Sequence, residues 1–404
     1  MGDRMYENVY DNYVKYGIEA IKDGECNRCF GKNLKEDSFG VIHCLDCYSY
    51  KEITSDKYLF RKMRSIENKV HKLELNFDLT TEQISGSDFL VNCYIRRKNA
   101  FLQAVCGAGK TEMTLQLIHY ALLEEKTVAF VIPRVEIIKQ VSLRMQEYFP
   151  KTTISSIYGG SSLLPDSPFI ITTPQQLIKF YQEFDLMIID EVDAFPFVEN
   201  QFLERLIKKS AKKNAVMIYM SATITKKYQQ LIKQEKIEYH LISRRFHKKD
   251  LAIPIFVRSD NFLSDKTFKI ILSLVSLKKP LIIYVASIAK ALELKSQLDQ
   301  KSLKVDYITS ETKYKKAVIK AFVNEELDIL VSTTLLERGV TFKNINVIVL
   351  EADADIFNEA SLIQIAGRVG RIGDEGLVIF ISKFKSEAMM SAKKAIATFN
   401  KSKL

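Results

Sequence analysis

Residues 104–111, with the sequence Ala-Val-Cys-Gly-Ala-Gly-Lys-Thr, limit the possible folds because they lie between a strand pattern and a helix pattern. Residues 101–105 are largely apolar, which predicts a buried strand, and apolar residues after Lys110 recur at helical spacing. Glycines at a strand-to-helix turn let successive backbone N–H groups converge at a positive helix terminus. We therefore predict a phosphate-binding turn, with Lys110 as a point charge and Thr111 as a Mg²⁺ ligand.

A pair of acidic residues follows a second apolar run. Residues 184–189 predict a strand of the parallel-sheet type, which places Asp190 and Glu191 at its carboxyl end. Asp190 would hold Mg²⁺, and Glu191 would orient and deprotonate an attacking water. Adjacent acidic residues can be a solvated strand end, but their spacing from the phosphate turn and the later segment Ser-Ala-Thr at 221–223 favour an ATP-hydrolysing site.

Length and charge restrict the class of protein. The 404 residues exceed what one core usually organises, so two or three domains are expected. A formal net charge of +10 indicates a polyanionic partner, either nucleic acid or an anionic membrane surface. The sequence shows neither a membrane-spanning run nor a signal-peptide core. We expect a cytoplasmic protein whose membrane association, if any, is peripheral, at the inner face of the cell membrane and through partners.

Four of the six cysteines form two CxxC pairs, Cys26 with Cys29 and Cys44 with Cys47. Such pairs present four thiolates to one ion, so the pattern predicts one structural Zn²⁺. Two disulfides or a redox couple are the alternatives, and a reducing cytosol disfavours both. His43 could replace a thiolate, although the set is complete without it. The knuckles could contact DNA, dock a partner or staple the N-terminal region, and we favour the last role.

Alternating strand and helix patterns divide the rest of the chain. We expect a zinc-binding region at 1–75, an ATP-binding α/β domain at 76–250 and a second α/β domain at 251–404. The expected strand cores of the first domain are 100–105, 128–132, 169–172, 186–190 and 216–220. Those of the second are 253–257, 281–285, 305–308, 329–332, 347–350 and 377–381. This alternation predicts two parallel sheets flanked by helices.

Two arginines explain why a second α/β domain is needed. Arg368 and Arg371 lie in the segment Gln-Ile-Ala-Gly-Arg-Val-Gly-Arg at 364–371. Guanidinium groups that reach the γ-phosphate of ATP from across a cleft act as arginine fingers, which are worth roughly 10³–10⁵ in rate. Two solvated arginines on a helix are the alternative. Gly367 and Gly370 disfavour it because they permit close approach to another surface.

Taken together, these motifs resemble the motif series of helicase superfamily 2. The series comprises Gln83 and residues 104–111, 132–134, 158–160, 172–175, 190–193, 221–223, 332–340 and 364–371. Its segments Asp-Glu-Val-Asp-Ala-Phe-Pro and Leu-Glu-Arg-Gly-Val-Thr, together with the cysteine knuckles, resemble the ComFA family, the late competence ATPases of naturally transformable bacteria. The resemblance implies an α/β fold with two RecA-like parallel-sheet domains. Departures from the DEAD-box pattern at Val192 and Ile365 favour DNA over RNA.

The resemblance also implies roles for single residues. The implied catalytic residues are Lys110, Glu191, Arg368 and Arg371. The implied ATP-binding residues are Gln83, Gly107, Ala108, Gly109, Lys110, Thr111, Glu112 and Gly339, with Thr111 and Asp190 on Mg²⁺. The implied DNA contacts are Arg134, Gly159, Gly160, Thr173, Pro174, Gln175, Ser287, Thr333 and Thr334. Gln83 could equally be a helix cap, and Arg134 a charge at a helix start.

The implied function is ATP-dependent translocation of single-stranded DNA during uptake of transforming DNA. Within the family, the membrane channel ComEC and the protein ComFC are partners, and motors of this kind can form homo-oligomers. One alternative is a helicase that unwinds DNA or RNA duplexes. A second is an ATP-switched adaptor that recruits partners without moving along DNA.

Overall fold

The computed structural model describes residues 17–60, 64, 66, 70–160, 166–198, 200–334, 342–371 and 375–401. The internal contacts of the chain separate two units. The first is Met1–Leu102 with Thr111–His240, and the second is Gln103–Lys110 with Leu241–Leu404. The phosphate turn is thus grouped with the second unit. The domain boundaries expected after residues 75 and 250 stay predictions.

Short antiparallel ladders build the N-terminal part of the first unit. The pairs are β1 (Ile18–Glu19) with β6 (Tyr58–Leu59), β2 (Ile21–Lys22) with β3 (Glu25–Cys26), and β4 (Leu34–Glu36) with β5 (Ile42–Cys44). Such short strands cannot enclose a core of their own, so the four buried cysteines form much of the interior here.

The main sheet, most of whose residues belong to the first unit, has seven strands in the described residues. They are β7 (Ala100–Ala104), β8 (Val128–Val131), β9 (Ile154–Ile157), β10 (Phe169–Thr172), β11 (Phe184–Ile189), β12 (Ala211–Ser221) and β13 (Glu238–Ile242). Their order is β13-β7-β12-β11-β8-β10-β9, and the pairs from β12 through β9 are parallel. Strands β7, β8 and β10 are buried along their whole length, as expected for a sheet covered on both faces.

Helices accompany these strands. They are α1 (Thr81–Ile95), α2 (Lys110–Met113), α3 (Leu115–Leu123), α4 (Val135–Tyr148), α5 (Gln201–Ser210) and α6 (Lys226–Lys233). Helix α5 begins where the Asn200 side chain accepts a hydrogen bond from the Leu203 backbone N–H at 3.1 Å. It buries Leu203, Leu206 and Ile207.

The second unit contains a six-stranded parallel sheet. Its strands are β14 (Ile255–Arg258), β15 (Leu281–Tyr284), β16 (Val305–Ile308), β17 (Ile329–Ser332), β18 (Asn346–Leu350) and β19 (Val378–Ser382), in the order β14-β19-β18-β15-β17-β16. Its helices are α7 (Asp265–Val275), α8 (Ile288–Asp299), α9 (Lys315–Val323), α10 (Glu359–Ala366) and α11 (Glu387–Lys401). The expected fold class, two RecA-like parallel-sheet domains, is confirmed.

Each of the eleven expected strand cores overlaps an observed strand, but β9 and β13 of the first sheet were not expected. These two strands are the ends of the sheet order, so each has one neighbouring strand instead of two. The sequence of β9 is Ile-Ser-Ser-Ile, and that of β13 is Glu-Tyr-His-Leu-Ile. Edge strands need less apolar surface than central ones, which weakens their signal in the sequence.

No helix among the described residues has the length and apolar character needed to cross a bilayer.

The substitution Gly376→Ala tests the packing of the second unit. A Cβ atom at Gly376 would lie 2.2 Å from the carbonyl oxygen of Ile345 and 2.9 Å from a Val369 methyl group. We expect a loss of about 2–3 kcal/mol in the free energy of unfolding, measured by denaturant titration. Gly159→Ala is the matched control, because nothing lies within 4 Å of its added Cβ. Equal stability of both variants would contradict the packing described.

Candidate nucleotide site, nucleic-acid interface and metal centre

The phosphate turn follows buried strand β7 and leads into α2. Gly107 and Gly109 both have φ of +83°, a conformation that costs glycine little and strains other residues. The Ala108 backbone N–H donates to the Val105 carbonyl at 3.1 Å, and the Thr114 hydroxyl donates to the Thr111 carbonyl at 2.7 Å. The backbone therefore curls as the glycine spacing predicts, immediately before the Lys110 end of α2.

Two of the predicted ATP-binding side chains make structural contacts in the first unit. The Glu112 carboxylate pairs with Arg144 of α4 at 2.9 Å. The Gln83 side chain is buried and accepts a hydrogen bond from the Thr80 backbone N–H at 2.9 Å. With the Thr80 hydroxyl accepting from Gln83 N–H, this is a capping box that starts α1. Their roles toward ATP stay predictions.

The acidic pair lies at the carboxyl end of β11. The Asp190 side chain accepts a hydrogen bond from the Glu191 backbone N–H at 2.8 Å, and Glu191 has a φ of +55°. Two residues later, the buried Asp193 carboxylate accepts from the Thr223 hydroxyl at 2.6 Å. Strands β11 and β12 are parallel neighbours, so the acidic segment and the Ser-Ala-Thr segment meet at one edge of the sheet.

In the second unit, Arg368 and Arg371 follow α10. Arg368 is 2% exposed, whereas Arg371 is partly exposed. Buried Arg245 holds this segment, since its guanidinium donates to the carbonyl oxygens of Val369 at 2.7 Å, Gly370 at 2.5 Å and Gly367 at 3.1 Å. We did not assign Arg245 from the sequence. The only signal was the basic run Arg-Arg-Phe-His-Lys-Lys at 244–249.

The predicted DNA contacts of the first unit share one sheet edge. They follow the carboxyl ends of β8, β9 and β10, which are adjacent parallel strands: Arg134, Gly159, Gly160, Thr173, Pro174 and Gln175. The Thr172 hydroxyl at the end of β10 donates to the Ile157 carbonyl at the end of β9, at 2.9 Å. Arg134 also precedes α4 as its N-cap residue, without a side-chain cap bond.

The second unit repeats this arrangement. Ser287 follows β15, and Thr333 and Thr334 follow its neighbour β17. The Ser332 hydroxyl at the end of β17 donates to the Ile308 carbonyl at the end of β16, at 3.0 Å.

The predicted ATP-site residue Gly339 lies outside the described residues.

Cys26, Cys29, Cys44 and Cys47 converge in the first unit. All four are buried, and their sulfur atoms lie within 4.8 Å of one another. The Sγ atoms of Cys26 and Cys47 are 3.8 Å apart, and those of Cys29 and Cys44 are 3.6 Å apart. Zn–S bonds of about 2.3 Å place the sulfurs of a tetrahedron about 3.8 Å apart. The donor set therefore fits a tetrahedral metal ion such as Zn²⁺.

His43 does not belong to this donor set. Its Nε2 atom lies 2.9 Å from an Asp37 carboxylate oxygen, and its Nδ1 atom lies 2.8 Å from a Glu52 carboxylate oxygen. These hydrogen bonds, that to Asp37 first, raise the pKa of His43 above its usual value, which favours a protonated ring over a metal ligand.

The cysteine knuckles pack on α5 of the same unit. Arg205 of α5 pairs with Asp46 at 2.5 Å, and the Phe202 ring stacks on Tyr50 with centroids 5.4 Å apart. The buried Lys209 ammonium donates to the carbonyl oxygens of Arg28 and Ile178, both at 2.8 Å. Burial, with the nearby charge of Arg28, lowers the pKa of Lys209 to about 7. The knuckles are thus joined to the core that carries the acidic pair.

A phosphate turn, an acidic strand end and a second parallel-sheet unit with the Arg368 segment define an ATP-hydrolysing enzyme of the helicase superfamily 2 type. Two family profiles agree: "Type III restriction enzyme, res subunit" matches residues 60–226, and "Helicase conserved C-terminal domain" matches residues 265–373. The chain is 33% identical over 390 residues to competence protein ComFA of Streptococcus pneumoniae, covering 93% of this chain and 90% of that protein. It is 30% identical to ComFA of Bacillus subtilis, covering 93% and 85%. The chain belongs to the ComFA family of competence-associated, DNA-dependent ATPases.

Solved structures share the fold. Saccharomyces cerevisiae Dbp5 bound to RNA and ADP BeF3 aligns with a TM-score of 0.58 at 18% identity, covering 80% of this chain and 92% of that one. Mycobacterium smegmatis helicase Lhr bound to ssDNA and AMP-PNP aligns with the same TM-score and identity, covering 80% and 50%. The predicted family and enzyme type are confirmed.

Metal content tests the cysteine cluster. The double variant Cys26→Ser, Cys29→Ser should lose the single bound metal that we expect in the purified wild-type protein, because two of the four thiolate donors are removed. His43→Ala should keep it, because His43 bonds Asp37 and Glu52 instead. Elemental analysis per mole of protein gives the result. Loss of metal from the His43 variant, or retention in the double variant, would contradict the donor set.

Proposed function

We propose that this chain is an ATP-driven translocase that moves single-stranded DNA into the cytoplasm during transformation. The observation that carries the proposal is that both units place their predicted DNA contacts after the carboxyl ends of neighbouring parallel strands. In each unit a strand-end hydroxyl, that of Thr172 or Ser332, donates to the carbonyl oxygen at the end of the neighbouring strand, directly before residues that we predict to contact DNA. Two similar grips on one chain suit a strand that is passed from one to the other.

Residues of the phosphate turn and the acidic strand end would carry the hydrolysis. Lys110 would neutralise charge on the β- and γ-phosphates, and Thr111 and Asp190 would hold Mg²⁺, which offsets charge developing on the phosphates. Glu191 would orient the attacking water and accept its proton. The hydrogen bond from Thr223 to Asp193 supports a further role. It joins the segment after the acidic pair to the Ser-Ala-Thr segment that follows β12, so binding of the nucleotide would change the position of the Ser-Ala-Thr segment.

Arg368 and Arg371 would stabilise negative charge on the γ-phosphate as it is transferred. Gly107 and Arg371 both belong to the second unit. A Cβ atom at Gly107 would lie 3.7 Å from Cγ of Arg371. This proximity supports a role for Arg371 at the phosphates. Arg245 would be a positioning residue, because its three hydrogen bonds hold the backbone on both sides of Arg368 and directly before Arg371.

We propose that the cysteine cluster holds one Zn²⁺ and acts as a brace. The ion would supply fixed geometry to a region of two- and three-residue strands that has little core of its own. The contacts of Arg205, Lys209 and Phe202 with the knuckles support this role over a DNA-binding one, because they join the knuckles to α5.

The partners proposed from family membership are the channel ComEC, the protein ComFC and further copies of this chain. The net charge of +10 fits an electrostatic grip on DNA. Neutralising roughly five to seven phosphates of a single strand gives a slope of log affinity against log salt of about −4 to −5.

ATPase rates test the proposed substrate. The rate should rise on adding single-stranded DNA and rise less with duplex DNA or RNA. Lys110→Ala should lose at least about 100-fold of the stimulated rate, because the phosphate charge is no longer neutralised. The exposed Lys151 of the same unit provides the control Lys151→Ala, which should keep the wild-type rate. A rate indifferent to added strands would sink the proposal.

Displacement of streptavidin from end-biotinylated single strands tests movement. Wild-type protein with ATP should displace it, whereas Glu191→Gln should bind the strand without displacing it, since it loses at least about 100-fold in hydrolysis. The exposed Glu147 gives the control Glu147→Gln, which should behave as wild type.

Two further measurements identify the alternatives. Unwinding of tailed duplexes would favour the helicase function. Normal transformation of cells carrying Glu191→Gln would favour the ATP-switched adaptor.

A further inference from the structure

An ion pair in the second unit lies beside the predicted DNA contacts and has no role in the function described so far. Lys290 is in the first turn of α8, and its ammonium pairs with the Glu351 carboxylate. The Lys290 backbone N–H donates to the Ser287 hydroxyl at 3.3 Å, so the lysine stands one helical turn from a predicted DNA contact. The lysine Nζ atom also lies 5.5 Å from the centroid of the Phe262 ring.

The sheet order explains why these residues meet. Strands β18, β15 and β17 are adjacent and parallel, so their carboxyl ends share one edge. Glu351 directly follows β18, Ser287 follows β15, and Thr333 follows β17. Lys290 and Glu351 therefore lie at the edge that carries the predicted DNA contacts of this unit.

The predicted contacts of this edge lack a positive charge. Ser287, Thr333 and Thr334 are neutral hydroxyl residues, and phosphate contacts usually include lysine or arginine. The Lys290 side chain is 33% exposed, as is that of Glu351, so a phosphate oxygen can approach the ammonium without unfolding the edge.

A purely stabilising role accounts poorly for the pair. A partly exposed ion pair is worth at most about 1 kcal/mol. Glu351 has a φ of +50°, a conformation that is costly for a side chain other than glycine. A position that is strained in this way and pairs weakly with its neighbour contributes little net stability.

We propose that Lys290 binds a backbone phosphate of single-stranded DNA and that Glu351 competes with this phosphate for the ammonium. The inference rests on the proposed function, which supplies the strand. When a phosphate binds, the Lys290 ammonium exchanges the carboxylate for the phosphate, so the ion pair with Glu351 is lost. The carboxylate thus weakens the grip of the second unit, which favours release of the strand in each cycle.

Salt-dependent binding of the full-length protein to a labelled oligodeoxythymidine tests the exchange, with fluorescence anisotropy as the readout and a non-hydrolysable ATP analogue present. Lys290→Met should weaken binding about three- to tenfold and reduce the magnitude of the salt slope by about 0.7, the loss of one phosphate contact. Glu351→Gln should tighten binding about two- to tenfold with an unchanged slope, since the carboxylate no longer competes with the phosphate for the Lys290 ammonium. The double variant should match Lys290→Met alone.

A second ion pair on the same helix gives the control. Lys295 and Asp299 of α8 pair at 2.6 Å, and Lys295→Met with Asp299→Asn should bind as wild type. The inference is overturned if Lys290→Met keeps the wild-type slope, if Glu351→Gln fails to tighten binding, or if the tightening persists in the double variant. A wild-type protein without salt-dependent binding to single strands would instead refute the proposed function.

Discussion

Parallel pairing is the constraint on which the rest of the structure depends. In a parallel sheet every carboxyl end lies at the same edge, so residues that follow different strands are brought together without any need for proximity in sequence. In the first unit this edge collects the acidic pair after β11 and the hydroxyl of Thr223 after β12. In the second unit it collects Ser287, Thr333 and Glu351. The residues predicted to hydrolyse ATP and those predicted to contact DNA therefore both follow the carboxyl ends of strands.

A second feature is the attachment of the cysteine knuckles to α5. Burying the Lys209 ammonium is costly unless its hydrogen bonds are made, and the carbonyl oxygens of Arg28 and Ile178 make two of them. Four thiolates around a divalent ion would carry a net negative charge beside Lys209 and Arg28, so these cations suit a loaded site. Helix α5 begins at Gln201, eleven residues after Asp190, so the proposed brace would act on a helix that closely follows the acidic strand end in the sequence.

Several features were accessible from the sequence because they depend on local pattern. The glycines of the phosphate turn, the CxxC pairs and the apolar central strands each carry a signal within a few residues. Edge strands β9 and β13 carried too little apolar pattern to be recognised. Arg245 was missed because its partners are backbone carbonyls more than 120 residues away, and an acceptor of that kind leaves no trace in the sequence.

The sequence by itself determined which residues the predicted chemistry depends on: a glycine-rich turn, an acidic pair at a strand end, two arginines and four thiols, because each is recognised from residue type and short spacing. The tertiary structure alone decided which predicted site residues also serve the fold, as with Glu112, which pairs with Arg144 of α4. It also placed Lys290 beside Glu351. Such pairings depend on strand order and register, which are set by packing across the whole sheet and not by any local segment.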